Sequence, residues 1–345
     1  MTITTERILL NKERNVSLVT MVQAVGGEFG FEQRPAVVVI PGGGYSMCSD
    51  REAEVVAYPY LAAGFHAFVL RYSVGEHRTW PNPLDDYEQA MEYIHEHAEK
   101  WGLLTDKIAV IGFSAGGHLA GSTATLAKHR PGAAILVYAA LEQDIASMCQ
   151  PGTDIPSPTA CVDEKTPPCF LVAAHDDPIV PMRNALNFMA ALDRFGTTYE
   201  CRIYPFGGHG FSAGESMLGG RLCARVRDWV RDSIGFLDDI FGRLTPNGLT
   251  APVCAGKVNG DMEETLSVQC TLRHLRAYVA EVPALQPVMA AVDAIIEERF
   301  GGSEAGKSTV GQFKLAEILP MLGKTSEDQD EMDALLNAVP NVRRQ

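Results

Sequence analysis

Three residues far apart in the chain are of the types that acyl transfer needs. The apolar run Ile108-Ala109-Val110-Ile111 leads into Gly112-Phe113-Ser114-Ala115-Gly116, and the small-residue helix pattern Gly117-His118-Leu119-Ala120 follows. Gly-x-Ser-x-Gly between a strand pattern and a helix pattern reads as a nucleophile elbow, a tight turn that lifts the serine hydroxyl clear of the sheet. The helix N-terminus beneath it favours developing negative charge. A serine hydroxyl is a poor nucleophile at its own pKa and needs a base within hydrogen-bond reach. His209, in Gly208-His209-Gly210-Phe211, is the candidate base. A carboxylate would fix the histidine tautomer and stabilise the imidazolium. Asp177 is favoured, because Asp177-Pro178-Ile179-Val180-Pro181 turns the chain back sharply; Asp176 is the alternative. The order Ser, Asp, His along the chain is one of the known triad orders.

An oxyanion requires backbone N–H donors. Ala115, directly after the serine, supplies one by position, and the glycine run Gly42-Gly43-Gly44 supplies the other through Gly43 or Gly44. Tyr45 next to that run reads either as a pocket wall or as a core tyrosine. His118 on the elbow helix reads as packing rather than as a base. His95 and His97 stand two apart on a helix pattern, so they face different ways and suggest no metal site. Gly301-Gly-Ser-Glu-Ala-Gly306-Lys307-Ser308 matches a phosphate-loop pattern, but 288–300 before it reads as a helix, not a strand. A helix–helix loop is therefore expected there. No cofactor or metal is expected.

These residues need elements to position them. Residues 6–10 and 16–22 read as an opening hairpin. Apolar runs at 35–41, 66–72, 107–111, 133–138, 169–174 and 199–204 read as strands, of the buried parallel kind where apolar throughout. Helical spacing covers 51–64, 83–101, 184–195 and 219–242. Alternating strands and helices predict an α/β fold, a doubly wound and mostly parallel sheet with helices on both faces. Reactive groups in such sheets collect at the carboxyl ends of strands. Ser114, Asp176, Asp177, His209 and the glycine run all lie at such ends. Residues 141–168 carry no steady period and read as an irregular excursion forming a partial lid. After Pro246-Asn247-Gly248 only helix patterns remain, over 261–345, with apolar positions at Leu272, Leu275, Val279, Val288, Val292, Ile295 and Ile296. Two domains are expected, 1–245 carrying the chemistry and a small all-helical 246–345.

The chain has 345 residues, 46% of them apolar, ample for one large core and a small second one. The net charge of −14 is scattered, which argues against nucleic acid or an anionic membrane as partner. Eight cysteines without a CxxC pair fit reduced thiols. The N-terminus does not read as a signal peptide and no run reaches membrane-span length, so a cytoplasmic location is expected.

The residues Val39-Ile40-Pro41-Gly42-Gly43-Gly44-Tyr45, Leu70-Arg71-Tyr72-Ser73, Pro81-x-Pro83-Leu84-x-Asp86, Gly112 to Ala120, Asp177 to Pro181 and Gly208 to Phe211 together resemble the α/β-hydrolase fold. More narrowly, over about 1–242, they are similar to the bacterial acetyl-xylan esterase/feruloyl esterase-like family, near the hormone-sensitive-lipase and prolyl-oligopeptidase branches. The resemblance implies hydrolysis of carboxylic esters, often acetyl groups on oligosaccharide, with Ser114, Asp177 and His209 as triad. Pro41 stands where the lipase-like branch usually has histidine. The tail lies outside the common fold; homo-oligomer formation through its helices and control of substrate access are its two readings. An arylformamidase, a peptidase or a non-catalytic binding protein on the same scaffold are the alternative functions.

Overall fold

Seven successive residues, Arg34 to Ile40, are all buried, and they form the strand β3 around which a sheet is built. The computed structural model describes residues 2–27, 30–150, 152–214 and 221–342. The strands are β1 (Ile3–Asn11), β2 (Val16–Gln23), β3 (Arg34–Ile40), β4 (His66–Arg71), β5 (Leu103–Phe113), β6 (Ala133–Val137), β7 (Cys169–Ala174) and β8 (Tyr199–Tyr204). They lie in the order β1-β2-β4-β3-β5-β6-β7-β8. The first two pairings, β1 with β2 and β2 with β4, are antiparallel, and all later ones are parallel. Between them run α1 (Glu54–Ala62), α2 (Asn82–Glu96), α3 (Ala98–Trp101), α4 (Ser114–Leu126), α5 (Gln143–Cys149) and α6 (Arg183–Arg194), and α7 (Asp228–Phe241) follows β8.

The register decides where the site falls. Ile40 pairs with Gly112 and Phe113 with Val137, while Val137 pairs with Val172 and Ala174 with Tyr204. The carboxyl ends of β3, β5, β6, β7 and β8 are therefore level, and the loops leaving them share one edge. On one face Val37, Val39, Ile111, Phe113, Ile135, Val137, Phe170 and Val172 pack with Trp229, Phe236, Leu237 and Ile240 of α7. Burying each such side chain contributes about 1.5–3 kcal/mol, which fixes the register that a one-residue slip would lose.

The chain divides into two compact units, 1–193 with 197–256, and 194–196 with 257–345. The break at Pro246 lies inside the first unit, because Leu244–Thr245 (β9) and Gly248–Leu249 (β10) fold there as a two-stranded ribbon. The second unit holds α8 (Leu272–Leu275), α9 (Leu285–Phe300), α10 (Glu304–Gly311), α11 (Leu315–Met321) and α12 (Ser326–Asn337). Leu272, Leu275, Val288, Val292 and Ile296 are buried in its core, while Val279 and Ile295 are half-buried. The stretch 257–271 is irregular rather than helical and is tied back by bridges Thr265–Pro340 and Thr271–Lys314. At the phosphate-loop pattern, α9 ends at Phe300, Gly301 and Gly302 turn left-handed, and Ser303 caps α10, a helix–helix connection.

Three further expectations need correction. The helix expected over 83–101 is broken at His97. Its Nδ1 bonds the Tyr93 carbonyl, so its own N–H turns to Ile94, and its ring stacks between Tyr93 and Trp101. The excursion 141–168 is not irregular throughout, since it contains α5 and a short 3₁₀ turn, Pro158–Cys161. The closing helix begins at Asp228 after a 3₁₀ turn, Ala224–Arg227, rather than at 219; residues 215–220 lie outside the described residues. No helix among the described residues is long and apolar enough to cross a membrane.

Two buried histidines make stability depend on acid. His66 accepts the Gln23 N–H at 3.2 Å on Nδ1 and donates from Nε2 to the Trp101 carbonyl at 2.9 Å. His118 donates from Nε2 to the Pro156 carbonyl at 2.9 Å and accepts the Tyr45 hydroxyl on Nδ1 at 2.7 Å. Both are held neutral, and burial lowers each to about 4. The unfolded chain takes these protons near 6.5, so stability falls as pH drops from about 6.5 towards 4. At pH 5 each histidine should withdraw about 2 kcal/mol relative to pH 7.5. Urea unfolding at the two pH values checks this, and His66→Gln should shrink the difference by about half; an unchanged difference refutes it.

Candidate active site

Ser114 sits at φ +52°, the left-handed region, as the first residue of α4 directly after β5. The elbow is possible because its glycines are in near contact with backbone. A Cβ on Gly116 would lie 2.2 Å from the Pro41 carbonyl oxygen and 2.3 Å from that of Ile40. A Cβ on Gly112 would lie 2.4 Å from the Gly116 carbonyl oxygen and from Ala120 Cβ. Gly116→Ala should therefore push β3 off the elbow, lowering stability by roughly 3 kcal/mol or more together with activity. A melting temperature within 2 °C of wild type, allowing for a shift of about 2–4 °C per kcal/mol, would contradict that packing account.

His209 Nε2 lies 2.9 Å from Ser114 Oγ, and His209 Nδ1 lies 2.8 Å from Asp177 Oδ2. A carboxylate only accepts, so Nδ1 carries the proton and Nε2 is free to accept from the serine hydroxyl. The other Asp177 oxygen accepts the N–H groups of Ile179 at 2.8 Å and Val180 at 2.9 Å, which locks the carboxylate in the turn after β7. Asp177 is 8% exposed. Asp176, the alternative, points elsewhere. Its Oδ1 accepts the Gly207 and Gly208 N–H groups at 2.9 and 2.8 Å and so anchors the loop that carries His209.

At the glycine run, the Gly42 N–H is already taken by Glu52 Oε2 at 2.9 Å. That leaves Gly43 and Gly44, both of which line the cavity with Ala115. Gly43 has φ +131°, and a Cβ there would lie 2.1 Å from the Met47 carbonyl oxygen. Tyr45 is not a pocket wall: it is fully buried, with its hydroxyl on His118 and its ring edge-on to Tyr72. His118 in turn holds the Pro156 carbonyl of the excursion, so it packs and does not face Ser114.

The cavity above Ser114 and His209 has a volume of about 320 Å³. Its walls are mostly apolar: Met47 from the glycine loop, Ile145 and Met148 from α5, and Ile179 and Val180 from the Asp177 turn. Arg51, Glu52 and Cys149 also line it. Of these, sequence reasoning quoted only Ile179 and Val180, as part of the Asp177 turn and not as walls. Glu52 reads as an ordinary acid near a helix start, and α5 has no period long enough to register. Burial drives the Glu52 carboxyl above the usual range, opposed by hydrogen bonds from Tyr138 and Gly42. Tyr138 donates to Glu52 Oε1 at 2.6 Å, accepts the Ser212 N–H at 3.0 Å, and lays its ring edge-on to His209 at 4.9 Å. Of the five non-glycine residues with positive φ among those described, four cluster here: Tyr45, Ser114, Tyr138 and Ser212. Such strain persists only where surroundings over-determine it, and it gathers at functional sites. No group of three or more metal-ligating side chains occurs among the described residues.

Residues 30–154 match the BD-FAE family and residues 154–237 the prolyl oligopeptidase family. An acetylxylan esterase of Xylanibacter ruminicola is 31% identical over 199 residues, 52% of this chain and 41% of the relative. MGS-M1, an α/β hydrolase enzyme from a Medee basin deep-sea metagenome library, is 39% identical in its crystal structure. It superposes with a TM-score of 0.64, covering 69% of this chain and 98% of its own. The crystal structure of an acetyl ester-xyloside bifunctional hydrolase from Caldicellulosiruptor lactoaceticus is 27% identical, covering 68% and 96%, with a TM-score of 0.60. The chain spans only a third to two fifths of the length of the first curated relatives it matches.

Proposed function

This chain belongs to the α/β-hydrolase family, and from that premise we propose that it is a serine carboxylesterase acting on short acyl esters, acetylated xylo-oligosaccharides among them. The observation that carries the reading is the hydrogen-bonded series from Ser114 Oγ through His209 to Asp177, opening on an apolar cavity. Ser114 Oγ attacks the ester carbonyl while His209 Nε2 takes its proton. The tetrahedral oxyanion is met by the Ala115 N–H and by that of Gly43 or Gly44. Collapse expels the alcohol, which receives the proton from His209 and leaves an acyl group on Ser114. A water then gives its proton to His209 and attacks the acyl carbon, the second tetrahedral species releases the acid, and the proton returns to Ser114. Asp177 accepts the Nδ1–H of His209 throughout.

The match of 154–237 to the prolyl oligopeptidase family favours a peptidase as second reading. A fluorophosphonate probe followed by peptide mass spectrometry tests the first step: the adduct is expected on Ser114, and its absence from folded protein would refute the mechanism. Comparing acetyl-xylo-oligosaccharide, a peptide anilide and N-formylkynurenine as substrates then ranks esterase, peptidase and arylformamidase. Faster turnover of either amide substrate would overturn the ester assignment.

A further inference from the structure

The 3₁₀ turn Asp50–Glu52 lies between the two loops that must stay in register for the reaction. Glu52 is 4% exposed, and both its oxygens accept hydrogen bonds. One takes the Gly42 N–H, which fixes the peptide just before Gly43 and Gly44. The Cβ position at Gly42 lies 2.7 Å from Glu52 Oε2 and 3.1 Å from Ser114 Cβ, so the carboxylate stands directly behind the nucleophile's turn. The other oxygen takes the Tyr138 hydroxyl, whose oxygen accepts the N–H of Ser212, three residues after His209. A second tie runs the same way: Ser212 Oγ donates to the Arg51 carbonyl at 2.5 Å. The turn therefore joins the glycine loop to the histidine loop by hydrogen bonds at each end. A buried carboxyl is costly to keep unless its oxygens are hydrogen-bonded, as both are here.

We propose that Glu52 is a positioning residue that sets the distance between the oxyanion donors of the glycine loop and the Ser114–His209 pair, working through Gly42 on one side and Tyr138 on the other. It stands at the cavity wall, with one oxygen bonded to Gly42 and the other to Tyr138. This inference rests on the serine-esterase reading above. Glu52→Gln keeps volume and burial but replaces one acceptor with an NH₂ group, so either the Gly42 N–H meets a donor or the Tyr138 hydroxyl must give up donating there. A small misplacement of oxyanion donors lowers turnover far more than it lowers substrate binding.

The test uses 4-nitrophenyl acetate kinetics and a trifluoromethyl ketone, whose adduct with the serine places an oxyanion in the same pocket. Glu52→Gln should lower kcat roughly 10- to 100-fold with KM within about twofold, and weaken the ketone by a similar factor. Tyr138→Phe, which keeps the ring on His209, should lower kcat in the same direction, and the double variant should be no worse than Glu52→Gln alone. If Glu52→Gln does not accumulate as folded protein, Tyr138→Phe and its ketone affinity carry the test. Unchanged kcat and ketone affinity in these variants, or losses that multiply in the double variant, would overturn the proposal. Failure of the esterase reading looks different: the wild-type protein itself would neither turn over the ester nor bind the ketone.

Discussion

Ser114→Ala is expected to reduce kcat for 4-nitrophenyl acetate by roughly 10⁴- to 10⁶-fold. The residual rate would come from binding and the oxyanion donors, which the substitution leaves in place. The loss should not reflect unfolding. The Ser114 hydroxyl has one hydrogen-bond partner, His209 Nε2, and alanine at φ +52° bears the same backbone strain as serine. Ser114→Gly separates the two effects further. Glycine adopts positive φ freely, so this variant should be as inactive as alanine yet gain about 1 kcal/mol of stability. Circular dichroism melting beside the esterase assay checks both, and substantial turnover by either variant would remove Ser114 from the mechanism.

The next largest effect separates two adjacent acids. Asp177→Asn should lower kcat by about 10⁴, because the amide presents a donor or a weaker acceptor to His209 Nδ1 and frees the wrong tautomer. Asp176→Asn should cost less than about tenfold. Its oxygen can still accept from Gly207 and Gly208, so the histidine loop stays anchored. The contrast is measured as a ratio of kcat values at one pH with KM determined for each variant. Equal losses in the two variants would show that the loop anchor, not the histidine partner, carries the effect.

Much of the sheet was legible because its central strands β3, β6 and β7 are buried along their whole length. The runs at 35–41, 66–72, 133–138, 169–174 and 199–204 correspond to β3, β4, β6, β7 and β8 within a residue or so at each end. The elbow was legible for a different reason. Gly112 and Gly116 stand in backbone contact, and no other residue type fits there, so the constraint is written directly into the letters. The break at His97 was not legible, because a side chain competing for a helix carbonyl leaves no trace in periodicity.

What the sequence determined by itself was local: residue types, the order of Ser114, Asp177 and His209, and the strand ends on which they stand. Tertiary structure alone put Asp177 rather than Asp176 against His209, removed Gly42 as a free donor, turned Tyr45 into the core and brought Glu52 behind Ser114. These outcomes depend on which side chain reaches which partner across 10 to 86 positions of chain. Adjacent residues with the same chemistry look identical in sequence. They are told apart only when the register of β5, β7 and β8 sets where each loop leaves the sheet, and no local propensity encodes that pairing.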